Sequence, residues 1–137
     1  MLTLFVDANV IFSASLSKRG QARALFDLAR GGYCVLLTSA YATEEARRNI
    51  SVKYAEHLPA FQDLLPRLTT VPEAPPTLLA WTRTHVVAKD APILAAAAAS
   101  DASHLVTGDR RHFGHLYGQT LDRVTVVTLT EALELVL

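Results

Sequence analysis

The chain has 137 residues, thirteen Lys plus Arg against thirteen Asp plus Glu, with half of all residues apolar and 19% charged. That length and apolar share support one packed domain and exclude a disordered chain; the zero net charge excludes binding to polyanions through bulk attraction. The only cysteine, Cys34, excludes an internal disulfide framework and a cysteine-based zinc site, and points to a reducing, cytoplasmic setting.

Leu2–Val6 is a short β-rich run ending at Asp7, and reads as a strand. No basic segment precedes it, so no signal peptide is expected. A helix follows, broken near Gly20, and a second apolar stripe at Ala24, Leu25 and Leu28 carries helix to Gly31-Gly32. Tyr33–Leu37 reads as the second strand, with Thr38 or Ser39 as cap of the next helix. Helical segments are expected from about Ala40 to Ile50 and from about Val52 to Leu65, then a strand around Leu68–Val71. Beyond Pro72–Pro76 the pattern is weakly helical from Leu78 to about His85, and Val86-Val87 reads as a brief strand. Asp90 opens an alanine-rich helix to about Ala99. His104–Thr107 and Val124–Leu129 read as strands, and Thr130–Leu137 as a closing helix. The longest wholly apolar run, Ile93–Ala99, is far short of the roughly 20 residues that cross a bilayer, so no membrane partner is expected.

Strands alternating with helices imply an α/β fold with a parallel sheet covered on both faces. No repeat and no long linker interrupts it, so residues 1–137 read as a single domain.

Ligands of open α/β sheets bind at the carboxyl ends of the strands. Asp7 ends the first strand there, and Asp109 follows the Leu105–Gly108 strand end. Connecting helices start at that same edge, and Asp90 stands at one such start. Its positions i+3, i+4, i+7 and i+8 are Ile93, Leu94, Ala97 and Ala98, so Asp90 continues a buried stripe. On the helix after the second strand, Glu44 precedes Arg48 by four residues, the spacing of an exposed ion pair. Glu45 shares the inward stripe of Ala42, Ala46 and Asn49 and is the preferred site residue, with Glu44 in reserve. Taken singly, Asp7 and Asp90 read equally well as helix caps, Thr107-Gly108-Asp109 as a turn and Glu45 as a solvated helix residue. Four independent caps need not share one edge, so the joint placement favours a site. Crowded carboxylates repel one another, and a hard divalent cation, Mg²⁺ or Mn²⁺, relieves that repulsion. Such an ion suits in-line displacement at a phosphodiester.

Phe5–Val10, Thr38–Arg48, Lys89–Ala97 and Leu105–Asp109, in this order, resemble the PIN-domain family of metal-dependent ribonucleases. The resemblance spans essentially the whole chain and is strongest for the VapC-like branch, the toxins of bacterial toxin–antitoxin pairs. It implies a three-layer α/β/α sandwich with a central parallel sheet, an acidic pocket for Mg²⁺ or Mn²⁺, and endonucleolytic cleavage of RNA to a 5′-phosphate and a 3′-hydroxyl. Asp7, Glu45, Asp90 and Asp109 match the family's acidic positions, which implies catalytic and metal-binding roles; Asn9 and Thr107 match the polar residues that support the pocket. An antitoxin partner and a homodimer are implied in the same way. Arg111 departs from the pattern, standing where many members carry a further acid.

Arg110, Arg111 and His112 follow Asp109 and read either as phosphate-holding groups beside the pocket or as a solvated basic turn. His112 and His115 at i+3 lack companions for a zinc site. Trp81, Tyr41 and Phe113 read as packing residues before base-stacking ones, and the amphipathic Val52–Leu65 segment as packed on its own core. Two rivals remain open: a PIN-like binding module without catalysis, and a phosphoryl-accepting receiver-like domain. The latter wants paired acids after the first strand and a lysine after a late one, where this chain has only Asp7 and Val126–Leu129.

Overall fold

The computed structural model describes residues 1–137. Strands β1 (Leu2–Val6), β2 (Cys34–Ser39), β3 (Leu68–Val71), β4 (His104–Val106), β5 (Thr120–Leu121) and β6 (Val124–Val127) form one sheet in the order β3-β2-β1-β4-β6-β5. Every neighbouring pair is parallel except β5 with β6. The register sets Val6 opposite Val106, so the residues that follow, Asp7 and Thr107, leave the sheet side by side.

Helices α1 (Ala8–Leu16) and α2 (Gln21–Arg30) connect β1 to β2, and α3 (Ala40–Lys53) and α4 (Leu58–Leu64) connect β2 to β3. The chain then crosses back through α5 (Pro76–Thr82) and α6 (Ala91–Ala99) to β4. Right-handed crossovers that run in opposite directions along a sheet lie on its opposite faces. In agreement, α1 packs against α2, α3 and α4, whereas α5 packs against α6. The short α7 (Arg110–Phe113) follows β4, and α8 (Leu129–Val136) closes the chain against α2. The result is the three-layer α/β/α arrangement, its direction of travel reversing between β1 and β4.

A single cluster of 33 buried apolar residues fills both interfaces of the sheet. In β1, Leu4, Phe5 and Val6 are all buried, as expected of a central strand covered on both faces. Helix α6 is enclosed on nearly all sides: Ala91 and every residue from Ile93 to Ala98 are buried. Its small side chains let it lie close to the sheet, and that seating brings Asp90 to the carboxyl edge. Thr82, fully buried, shares its one Oγ1 hydrogen between Leu79 O (2.8 Å) and Ala91 O (3.1 Å), which ties α5 to the start of α6.

Several elements differ from the sequence reading. Val86-Val87 is not a strand: Val86 is buried beneath the loop and its N–H closes a turn on Thr82 O at 3.2 Å. The expected Val52–Leu65 helix is two elements. α3 continues through Lys53 and ends where the Tyr54 N–H bonds Ile50 O, and after a 3₁₀ turn α4 begins at Leu58-Pro59. Proline lacks the N–H that a helix's first turn leaves unpaired, so it starts a helix more readily than it continues one. Helix α4 buries Phe61 and Leu64 against the domain's own core. The β5–β6 hairpin and α7 were not anticipated. No helix is long and apolar enough to cross a membrane.

Candidate metal centre

β1 and β4 deliver their last side chains to the point where the sheet's connections reverse, the usual ligand crevice of such folds. Asp7 follows β1 in extended conformation and caps α1, its Oδ1 accepting the Ala8 N–H at 2.6 Å. Its Oδ2 accepts the Thr107 hydroxyl at 2.7 Å and the Asn9 amide at 3.3 Å. Asn9 also donates to Thr107 Oγ1 (3.3 Å), while its Oδ1 accepts the Gly108 N–H (3.0 Å). Thr107 Oγ1 accepts the Asp109 N–H as well (3.1 Å). One hydroxyl thus donates once and accepts twice, its full capacity, and it locks the β1–α1 and β4–α7 junctions together.

Ser39 rather than Thr38 caps α3, its Oγ accepting the Ala42 N–H at 3.2 Å. That start sets the helix phase. Ala42, Ala46 and Ile50 face the core, and Glu45, half-buried, comes round towards the crevice. Glu44 stays on the exposed face and pairs with Arg47 instead of the expected Arg48. The i,i+3 spacing is as close as i,i+4 on a helix surface, and Arg47 forms a two-pronged contact with the carboxylate.

Asp7, Glu45, Asp90 and Asp109 line one cavity of about 150 Å³, together with Asn9, Phe12, Asn49 and Lys89. A groove of about 700 Å³ along Thr3, Val35, Leu37, Thr69 and Val71 is larger, but its carboxylates, Glu73 and Asp101, are exposed and belong to no buried cluster. Burial is the main force on the cavity's acids. It pushes the Asp7 carboxyl up to about 7 against the donors on its oxygens, and Glu45 and Asp90 add repulsion. Glu45 and Asp90 are also raised, burial first, with Lys89 opposing in the first and His112 in the second.

The simple capping role fails at Asp90. It sits just before α6 with its side chain making no cap hydrogen bond, and only 4% of the residue is exposed. Its Oδ2 is buried without a hydrogen-bond partner. His112 Nδ1 lies 2.7 Å away, at ion-pair distance but without forming a hydrogen bond. An oxygen so placed costs free energy unless a cation meets it. The residues present therefore fit a divalent cation: oxygen donors predominate, one of them lacks a hydrogen bond, and three of the four acids resist ionising although Lys89 stands on the cavity wall.

Arg110 and Arg111 are exposed on the first turn of α7 and do not line the cavity. The sequence reading missed Phe12 and Lys89 as lining residues and left His112 outside the acid group. Lys89 was signalled only by its place beside Asp90. His112 sits three residues after the cap residue Asp109, whose Oδ1 accepts the His112 N–H at 3.1 Å. Tyr41 spends its hydroxyl on Lys89 O (2.6 Å), which fastens the loop before Asp90 to α3. Phe113 is buried in the core.

The family model described as PIN domain matches residues 3–111. Among solved structures, the chain is similar to VapBC2 from Rickettsia felis bound to a DNA fragment from their promoter, with 16% identity, a TM-score of 0.70, and 93% of this chain and 98% of that chain covered. It is also similar to FitAB bound to an IR36 DNA fragment, with 22% identity, a TM-score of 0.60, and 92% of this chain and 94% of that chain covered. At these identities the likeness is one of fold. No curated protein sequence matches the chain.

Proposed function

The chain belongs to the PIN domain family, and from that premise we propose that it is a Mg²⁺- or Mn²⁺-dependent endoribonuclease, the toxin of a toxin–antitoxin pair. The observation that carries the reading is the buried cavity where Asp7, Glu45, Asp90 and Asp109 converge from four separate segments. When bound, a divalent cation lowers the pKa of water and stabilises the charge that builds on a phosphodiester in displacement. Asp7, Glu45, Asp90 and Asp109 are the groups that would hold it. Thr107 and Asn9 fix the Asp7 carboxylate, so that its orientation does not depend on the ion. Lys89 at the cavity wall and Arg110 and Arg111 on the adjoining turn supply positive charge for the phosphates on either side of the cleaved bond.

The VapBC2 and FitAB assemblies were both solved on DNA. That supports an antitoxin as this chain's protein partner; a homodimer and a cytoplasmic location belong to the same reading. An intact set of four acids, with no serine or cysteine nucleophile at the cavity, favours hydrolysis over a binding module that has lost its chemistry.

A nuclease assay on single-stranded RNA tests the proposal, run with Mn²⁺, with Mg²⁺ and with chelator, on wild type and Asp7→Asn. Cleavage should need the ion and should vanish in the variant while its thermal melt remains cooperative. Cleavage by Asp7→Asn at the wild-type rate would refute the mechanism.

A further inference from the structure

Three ligand atoms of different residues meet beside the cavity, two of them on the lining residues Asp90 and Asp109. Asp90 Oδ2 and Asp109 Oδ2 lie 2.7 and 3.1 Å from His112 Nδ1, and the three side chains can offer ligand atoms within 4.8 Å of one another. The fold builds this contact from two sides. Asp109 caps α7 through Oδ1 alone, which leaves Oδ2 free and turns the third residue of that helix back over its own cap. Asp90 arrives from the start of α6 with an oxygen that no donor satisfies. The two loops are held in place independently of this contact, because the His115 ring meets His85 O at 2.7 Å. In the metal-free protein His112 Nδ1 stands at ion-pair distance from both carboxylates. His112 Nδ1 and Asp90 Oδ2 are both buried and both without a hydrogen-bond partner despite their 2.7 Å separation. With its proton on Nε2 the His112 ring offers Nδ1 as an acceptor, and three acceptor atoms of different residues within 4.8 Å of one another are the arrangement of ligands around a shared cation.

We infer that His112 Nδ1 is a nitrogen ligand of this chain's cation centre, beside Asp90 and Asp109, and that it biases the centre towards a first-row transition ion over Mg²⁺. The inference rests on the cation-dependent reading above and deepens it. Magnesium takes an all-oxygen shell and parts with water reluctantly. Imidazole favours transition ions, and Mn²⁺ accepts both imidazole and carboxylate. His112 thereby takes up the role left open by Arg111, which is exposed and points no acid into the cavity. The chemistry of the site becomes that of a mixed nitrogen–oxygen centre and not of a purely acidic one.

Pulsed electron paramagnetic resonance of the full chain loaded with Mn²⁺ tests this without reference to activity. Wild type should show ¹⁴N modulation from a directly bound imidazole, which changes to the ¹⁵N pattern when the protein is grown on ¹⁵N-histidine. His112→Ala should bind Mn²⁺ without that modulation, and its preference for Mn²⁺ over Mg²⁺ in competition titrations should fall by at least about tenfold, the loss that even outer partners of a ligand produce. His115→Gln should retain both properties. If His112→Ala does not fold, the isotope exchange in wild type decides the matter alone. Saturable Mn²⁺ binding with no nitrogen modulation in wild type would overturn the role of His112 and leave the carboxylate centre standing. Absence of any saturable Mn²⁺ binding would overturn both.

Discussion

Thr107 Oγ1 lies 2.7 Å from Asp7 Oδ2, a contact between residues 100 positions apart that joins two neighbouring strand ends. The hydroxyl is fully buried and also receives the Asn9 amide and the Asp109 N–H. Thr107→Val keeps the shape and removes all three bonds. It leaves a buried N–H and a carboxylate oxygen underserved, at a cost of about 1–3 kcal/mol. Urea unfolding should show that loss, with RNA cleavage falling further than the loss of folded protein explains, while Thr107→Ser should recover most of both. Equal stability of the valine variant would mean that the hydroxyl is not what joins the strand ends.

Glu44 and Glu45 are adjacent on α3 yet differ in every surrounding. Glu44 is exposed and its carboxyl is held below its ordinary range by the hydrogen bond from Arg47. Glu45 is half-buried in the cavity wall and shifted upwards. Glu45→Gln should therefore weaken Mn²⁺ binding and abolish cleavage, whereas Glu44→Gln should leave both at wild-type levels. Calorimetric Mn²⁺ titration of the two variants distinguishes them, and the opposite ranking would mean that the helix phase has been misread.

The acids were legible because each is tied to a strong local pattern. Asp7 ends an apolar strand, Asp90 heads a stripe of Ile93, Leu94, Ala97 and Ala98, and Glu45 shares a face with buried Ala42 and Ala46. His112 was not legible as their neighbour. Its place depends on α7, a helix of only four residues with no apolar period, and on the spacing between two loops from distant parts of the chain. The break at Tyr54 was hidden for a related reason: the apolar pattern of Val52–Leu65 runs on through a change of element that only Pro59 marks. Val86 misled because an isolated valine pair serves burial as well as it serves a strand.

The raised carboxyls make the metal-free protein sensitive to pH in a defined direction. Asp7 goes from an ordinary value of 3.8 to about 7 on folding, chiefly through burial. A group that holds its proton more tightly when folded favours the fold at low pH. That contribution is complete below about 4 and is lost as pH rises through about 7. Asp7→Asn resembles the protonated form at every pH, so the comparison isolates this group from the others. Without divalent ions, wild type should lose about 2–3 kcal/mol relative to Asp7→Asn between pH 5 and 8, read from urea midpoints. Mn²⁺ should reverse the trend for wild type alone, since ligation requires the deprotonated carboxylate and tightens over the same range. A pH-independent difference between the two proteins would show that burial does not govern Asp7.

The β5–β6 hairpin escaped notice because its turn lacks glycine and pairs Asp122 with an arginine. Leu121 and Val124 pair across Asp122 and Arg123, which adopt φ of 48° and 72°. Two consecutive left-handed residues make the tight hairpin turn that Asn-Gly favours. Here both positions bear side chains, and Arg123 is exposed with neither a hydrogen bond nor an ion pair from its guanidinium. A side chain in that region costs about 1–2 kcal/mol, which glycine does not incur. Arg123→Gly should therefore stabilise the protein by about 1 kcal/mol, somewhat less than the strain removed because glycine also loosens the unfolded chain. The turn lies away from the acid cavity, so Mn²⁺ affinity should stay at the wild-type value. An unchanged or lowered urea midpoint for Arg123→Gly would mean that the two residues hold this conformation without strain, or that the hairpin turns differently in solution.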